Sequence, residues 1–169
     1  DFPPEIVVLL GRAFGTFVNR SGGREIALSG DIRLTTPALM DAFREGVLST
    51  GTDVINLRIV PTPVNYYSMY SLNVSGAAQI TGSHNPPEFN GFKLSFNKCA
   101  FYGEDIQKIK RIIEDEDFEY GKGQIKKIDI MEPYHDMLKK KINLERPLKA
   151  VIDCGNAAAC LSAPYIFPE

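Results

Sequence analysis

Apolar and polar positions follow two alternating periods along this chain. Ile6, Leu9, Leu10, Ala13, Phe14 and Phe17 recur at helical spacing behind Pro3-Pro4, and Asn19 to Gly23 closes that helix. Glu25 to Leu28 reads as a short strand, with Ser29 to Leu34 as the loop after it. Either Thr35 or Thr36 can cap a helix that starts at Pro37, runs to about Thr50 and stops at Gly51. A second strand lies within Asp53 to Val60. A third helix begins at Pro61-Thr62-Pro63 and carries Tyr66, Tyr67, Met69 and Tyr70, which read as a core face with hydroxyls at its margin. Val74 to Ile80 is a buried strand, broken by Thr81-Gly82. After the turn pair Asn90-Gly91, Phe92, Leu94 and Phe96 alternate with Lys93, Ser95 and Asn97 in a further strand. An amphipathic helix over Tyr102 to Ile113, a flexible turn at Gly121-Lys122-Gly123 and a linker helix over Ile128 to Ile142 come next, with His135 read as structural. Beyond Pro147, Leu148 to Ile152 reads as a new strand, and Asp153 to Asn156 turns into an Ala-rich helix.

This alternation predicts an α/β fold, a small mixed sheet covered by helices. The strand at 91–96 should run antiparallel to the one at 74–80, because about ten residues join them and a parallel crossover needs a dozen or more. Three segments are expected: a first domain over 1–128, a linker helix over 129–147 and the start of a second α/β domain over 148–169. One strand cannot satisfy both its edges, so 148–152 is expected to pair with the first domain or with another copy of the chain, and self-association through 148–167 follows from that expectation.

Composition narrows the classes. A hydrophobic content of 44% with 24% charged residues is that of an ordinary globular protein. The net charge of −2 implies no broad cationic face, which argues against a nucleic-acid partner. No apolar run reaches the ~20 residues of a membrane helix, so no membrane role is expected. Cys99, Cys154 and Cys160 are odd in number and form no C-x-x-C pair, which reads as reduced thiols in a cytoplasmic protein. Nothing reads as a signal peptide, and a chain beginning at Asp1 reads as cropped or processed. Glu114 to Asp117 reads as a solvated helix end rather than a metal site, since neighbouring side chains there radiate apart.

The chemistry-bearing stretch is Thr81-Gly82-Ser83-His84-Asn85-Pro86-Pro87 with Asn90-Gly91-Phe92-Lys93. Pro86 fixes its own φ and keeps Asn85 out of the α region, so the loop is stiff. It brings a hydroxyl, an imidazole and an ammonium close together at a strand end. Read from the residues, it is either a Pro-rich surface turn with a satisfied histidine or an active loop. Neighbours on an extended loop point apart, so His84 is badly placed to deprotonate Ser83. Asp31 and Arg33, in the loop after the first strand, read as a local ion pair that shapes it.

The stretch resembles the phosphoserine loop of the α-D-phosphohexomutases, in the phosphomannomutase/phosphoglucomutase branch. The resemblance implies that Ser83 carries a phosphoryl group and exchanges it with hexose phosphates, mannose or glucose, between the 1- and 6-positions through a bisphosphorylated sugar. His84 and Lys93 match the adjacent active-site histidine and lysine. Asp31, Arg33, Asn85 and Asn90 are implied to be loop-shaping or phosphate-proximal. Mg²⁺ would be met through a phosphoryl oxygen on Ser83, with its other ligands outside this chain, and glucose or mannose 1,6-bisphosphate would act as activator. Gly30 and Ala157 depart from the pattern, where the family usually has a large, often basic residue and a glycine. The resemblance covers nearly the whole chain but only the first third or so of a family member, so the fragment alone is expected to be inactive. The alternative is a non-catalytic truncated paralogue or assembly module.

Overall fold

The computed structural model describes residues 2–167; Asp1 and the last two residues of the 148–169 segment lie outside them. Helix α1 (Pro4–Arg20) begins on Pro4, whose missing N–H would have had no helical partner. Strand β1 (Glu25–Gly30), helix α2 (Thr36–Leu48), strand β2 (Asp53–Ile59), helix α3 (Thr62–Ser71) and strand β3 (Gly76–Ile80) follow. Strands β4 (Phe92–Phe96) and β5 (Cys99–Ala100) turn back, then come helix α4 (Glu104–Glu114), strand β6 (Ile125–Lys127) and helix α5 (Met131–Lys141). A 3₁₀ turn at Ala158–Leu161 and the short helix α6 (Ala163–Ile166) end the described chain.

The strands form one mixed sheet in the order β5-β4-β3-β1-β2-β6. β1 lies parallel between β2 and β3, β6 is parallel to β2, and β4 is antiparallel to β3. The reversed strand is thus where the short connection requires it. Both faces are covered. Ile26 and Leu28 of β1 enter a core with Phe14, Phe43 and Val47, while Ala27 enters a second core with Val64, Met69 and Ile130. Two covered faces explain why the central strands are almost wholly apolar rather than alternating.

Several sequence expectations are corrected. On α1 the core face is rotated, because α1 packs against both α2 and α4: Val7 and Val18 are buried, and Ile6 is 52% exposed. Thr35 stands at the N-cap of α2 but its side chain makes no capping hydrogen bond, and the Thr36 hydroxyl donates to Asp31. On α3 the inward face is Val64, Asn65, Ser68 and Met69, and Tyr66 and Tyr70 are exposed. That face is polar because Asn65 donates to Ser29 Oγ (2.7 Å) and to the Ala78 carbonyl (3.0 Å). The stretch at 121–123 is no free turn. Gly121 N–H donates to the Ser49 carbonyl (2.9 Å), Gly123 N–H donates to the Leu48 carbonyl (2.8 Å), and a Cβ on Gly121 would meet Gly51 Cα at 2.7 Å. The short strands β5 and β6 escape the pattern because two and three residues carry no period.

The predicted strand at 148–152 does not form, and it does not pair with the first domain. Leu148 and Ile152 are exposed and Val151 almost completely so. An apolar run becomes a strand only beside another strand, and none adjoins it among the described residues. The Ala-rich helix likewise reduces to the 3₁₀ turn and α6. His135 on α5 is buried, 3.2 Å from Ser162 Oγ and stacked on Tyr165, and so ties this last segment to the body.

Candidate functional site

β1 and β3 are parallel neighbours in register, Gly30 opposite Ile80. Both chains therefore leave the sheet at the same edge, their carboxyl ends, where open α/β sheets place their ligands. Asp31 N–H donates to the Ile80 carbonyl (2.9 Å), extending the ladder by one residue. Its carboxylate then gathers four donors: Thr81 Oγ1 (2.7 Å), Thr36 Oγ1 (2.8 Å), and the Arg33 backbone N–H and Nε (3.1 Å each). Burial by itself would raise the Asp31 pKa, but the hydrogen bonds from Thr81, the Arg33 backbone, Thr36 and the Arg33 side chain outweigh it and hold it below the usual carboxylate value.

Arg33 reaches from this carboxylate to the loop after β3. Nη1 donates to the carbonyls of Pro86 (2.6 Å) and Phe89 (3.0 Å), and Nη2 to those of Asn85 (2.8 Å) and Ser83 (3.3 Å). The pairing of Asp31 with Arg33 is therefore real but more than local: it braces the serine loop. Asn90 braces the other end, donating to Thr35 Oγ1 (3.1 Å) and Thr36 Oγ1 (3.0 Å) while its Oδ1 accepts from Gly91 N–H (2.9 Å). The guanidinium lies directly over Gly82, where a Cβ would come within 2.5 Å of Arg33 Cζ. Gly30 is similarly enclosed, its missing side chain replaced by Thr36 and Met40.

Within this frame Ser83 has a φ of 53°, the left-handed region, and its N–H donates to Thr81 Oγ1 (3.0 Å). Asn85 N–H closes a turn onto the Gly82 carbonyl (2.9 Å). The loop is a turn, not the extended run expected. Still, among the described residues no hydrogen bond joins the Ser83 hydroxyl to His84. Both side chains are exposed. A non-glycine residue in this backbone region costs about 1–3 kcal/mol and persists only where its surroundings hold it there. Here Thr81, Asn85 and Arg33 do so.

A cavity of about 720 Å³ opens over the loop, and Ser83, His84, Lys93, Asp31, Arg33 and Asn85 line it. Lys93 reaches it from β4, where it sits opposite Gln79. Asn90 is not among the lining residues. Three contributors escaped the sequence reading. Thr81 and Thr36 supply hydroxyls to the Asp31 carboxylate, and a hydroxyl two residues before the serine is a recognisable turn signal. Gly155 to Ala158 form the far wall, which no local pattern announces. Among the described residues Asp31 is the one carboxylate lining the cavity, and its oxygens are occupied. Among the described residues there is no group of three or more His, Cys, Asp or Glu side chains placed to hold a metal.

Residues 1–120 match the family model described as phosphoglucomutase/phosphomannomutase, alpha/beta/alpha domain I. The phosphomannomutase/phosphoglucomutase of Pseudomonas aeruginosa is 35% identical over 162 residues, which cover 96% of this chain and 35% of that protein. The phosphoglucomutase/phosphomannomutase of Thermococcus kodakarensis is 36% identical over 181 residues, covering 100% and 40%. The crystal structure of a phosphoglucomutase/phosphomannomutase family protein from Burkholderia thailandensis superposes with a TM-score of 0.92 at 36% identity, over 98% of this chain and 38% of that one. The chain thus spans little more than a third of the length of these relatives. Among the described residues no helix is long and apolar enough to cross a membrane.

Proposed function

The chain belongs to the phosphoglucomutase/phosphomannomutase family, as its first domain, and from that premise we propose that Ser83 is the phosphoryl carrier of a hexose-phosphate mutase. The reading is supported above all by one observation: an exposed serine held in left-handed backbone at the rim of a cavity that Lys93 and His84 also line. In the reaction, the bond from phosphorus to Ser83 Oγ breaks as a bond forms to a sugar hydroxyl oxygen, and the proton that hydroxyl loses is balanced by the one Ser83 Oγ gains. A hexose monophosphate becomes a 1,6-bisphosphate, and the transfer back from the other position restores the phosphoserine. Mannose and glucose phosphates are the proposed substrates, and their 1,6-bisphosphate the activator that reloads a bare serine.

Phosphoryl transfer asks chiefly for positioning and charge neutralisation. A phosphoserine carries about −1.5 to −2 charges at neutral pH. Lys93 meets that charge from β4, and the His84 imidazole meets it from the next residue in the loop. Mg²⁺ would add a Lewis acid in the whole enzyme. Among the described residues it would meet a phosphoryl oxygen on Ser83 and no free carboxylate at the cavity, since Asp31 is engaged, so these residues do not make a metal site by themselves. The fragment on its own is accordingly proposed to lack turnover.

The test is intact-protein mass followed by substitution. The full-length protein should carry an extra mass of about 80 Da on Ser83, the phosphate expected of this modification. Ser83→Ala in the full-length protein should abolish turnover with the fold unchanged by circular dichroism. Near-normal mutase activity in that variant would remove the proposal.

A further inference from the structure

Arg33 looks at first like a phosphate-binding arginine, a cation lining a cavity beside a phosphoryl-accepting serine. Its hydrogen bonds say otherwise. A guanidinium has five N–H donors in a fixed planar fork. Nε–H goes to Asp31, the two of Nη1 to Pro86 and Phe89, and the two of Nη2 to Ser83 and Asn85. All five are occupied, four of them by backbone carbonyls of one loop. The side chain is 13% exposed, and Asp31 already balances its charge. A phosphate oxygen could be bound only by releasing carbonyls that shape the loop.

We propose that Arg33 is the positioning residue of the serine site: it clamps the backbone from Ser83 to Phe89 in the shape that presents Ser83, and it does not bind phosphate. The significance for catalysis rests on Ser83 being the phosphoryl carrier; the clamp itself does not. The charge on a captured phosphoryl group falls instead to Lys93 and His84. Arg33 also aligns the serine indirectly. Its Nε and backbone N–H orient the Asp31 carboxylate, which holds the Thr81 hydroxyl, which accepts the Ser83 N–H. A lysine keeps the charge but has three donors on a flexible stem and cannot span four carbonyls.

The deciding measurement is amide hydrogen exchange in this chain for Arg33→Lys and Arg33→Met, with kcat and KM of the same variants in the full-length protein. Both variants should free the amides of Asn85 and Phe89 by about tenfold or more while those of β1 and β3 stay protected, a local opening rather than global unfolding. Both should lower kcat by a factor on the order of 10², with little change in KM for the hexose phosphate, since displacement of the reacting group costs about that much. Free guanidinium ion should partly restore the Met variant and leave Ser83→Ala inactive. Arg33→Lys with wild-type loop protection and kcat would overturn the clamp, as would a loss in Arg33→Met confined to KM. If both variants lose the sheet as well, Gly82→Ala decides. It leaves Arg33 present but sets a Cβ 2.5 Å from both Cζ and the Phe89 carbonyl oxygen that Nη1 holds, so it parts that pair and should free the same amides; unchanged protection there overturns the proposal. A full-length protein that never carries phosphate on Ser83 would defeat the carrier reading and leave the exchange result standing.

Discussion

Two irregular segments border the same cavity and are built in opposite ways. The loop from Thr81 to Gly91 is held by partners some fifty positions away in sequence: Asp31 to Thr81, Arg33 to Pro86 and Phe89, Thr36 to Asn90. The segment beyond Ile142 is held mostly by its neighbours, through turns such as Ala157 to Cys154, Cys160 to Ala157 and Ser162 to Ala159. Its tie to the body is His135 against Ser162 and Tyr165. The loop can therefore hold a serine in left-handed backbone. The other segment places its left-handed angles on Gly155 and Asn156, residue types that tolerate them. Absence of regular secondary structure does not make a segment loose. What matters is where its backbone carbonyls and amides find partners, and how far away in the chain those partners lie.

The contrast yields predictions of decreasing size. In the full-length protein Lys93→Met should lower kcat by a factor on the order of 10² to 10³, as loss of one preorganised charge does. An unchanged rate would show that the loop side of the cavity is not where charge is met. Asp31→Ala should destabilise the chain by about 2–3 kcal/mol in chemical denaturation, because it strands an arginine and two hydroxyls. Its pH counterpart has a definite sign. The Asp31 pKa is depressed on folding, so its contribution is complete above the unfolded carboxylate value near 4 and is lost as pH falls through the lower folded value. Protection factors in the serine loop, taken against the intrinsic exchange rate at each pH, should fall across that acid window while those of the turns at 154–162 do not change.

Ser83→Gly should be more stable than Ser83→Ala by about 1 kcal/mol, because glycine adopts the left-handed region freely and alanine does not. Equal stabilities would mean that the loop holds no strain at that residue. The smallest effect is expected at the other segment. Truncation after Ile142 should shift the unfolding free energy of the remainder by about 1 kcal/mol or less, since the buried contact it removes is that of His135 with Ser162 and Tyr165. A larger loss would show that residues beyond Ile142 support the sheet.

Much of this was legible in the sequence. The reversed strand β4 follows from the length of its connection, and the meeting of Ser83, His84 and Lys93 at one cavity from Thr-Gly-Ser-His-Asn-Pro-Pro with Asn-Gly-Phe-Lys. The reach of Arg33 was not legible, because its partners are carbonyls, which every residue has and which leave no signature in residue type. The tight seating of Gly121 on Gly51 was hidden for the same reason: it is a backbone contact between distant positions. The strand expected at 148–152 fails for a different reason. Its apolar pattern describes burial beside neighbours, and no described strand adjoins it.

The register of β1 against β3 has a consequence for folding. Gly30 lies opposite Ile80, so the next residue on each strand, Asp31 and Thr81, meet across the sheet edge. A slip of one residue would turn β3 over and part that pair. Parallel pairing of segments fifty residues apart is a late event, since the chain between them must first be closed into a loop. On that register the serine should acquire its backbone shape only when the closure is correct, and a misregistered chain should display Ser83 as an ordinary mobile residue. In a refolding pulse-labelling experiment the amides of Ser83 to Phe89 should gain protection together with those of β1 and β3, and never before them.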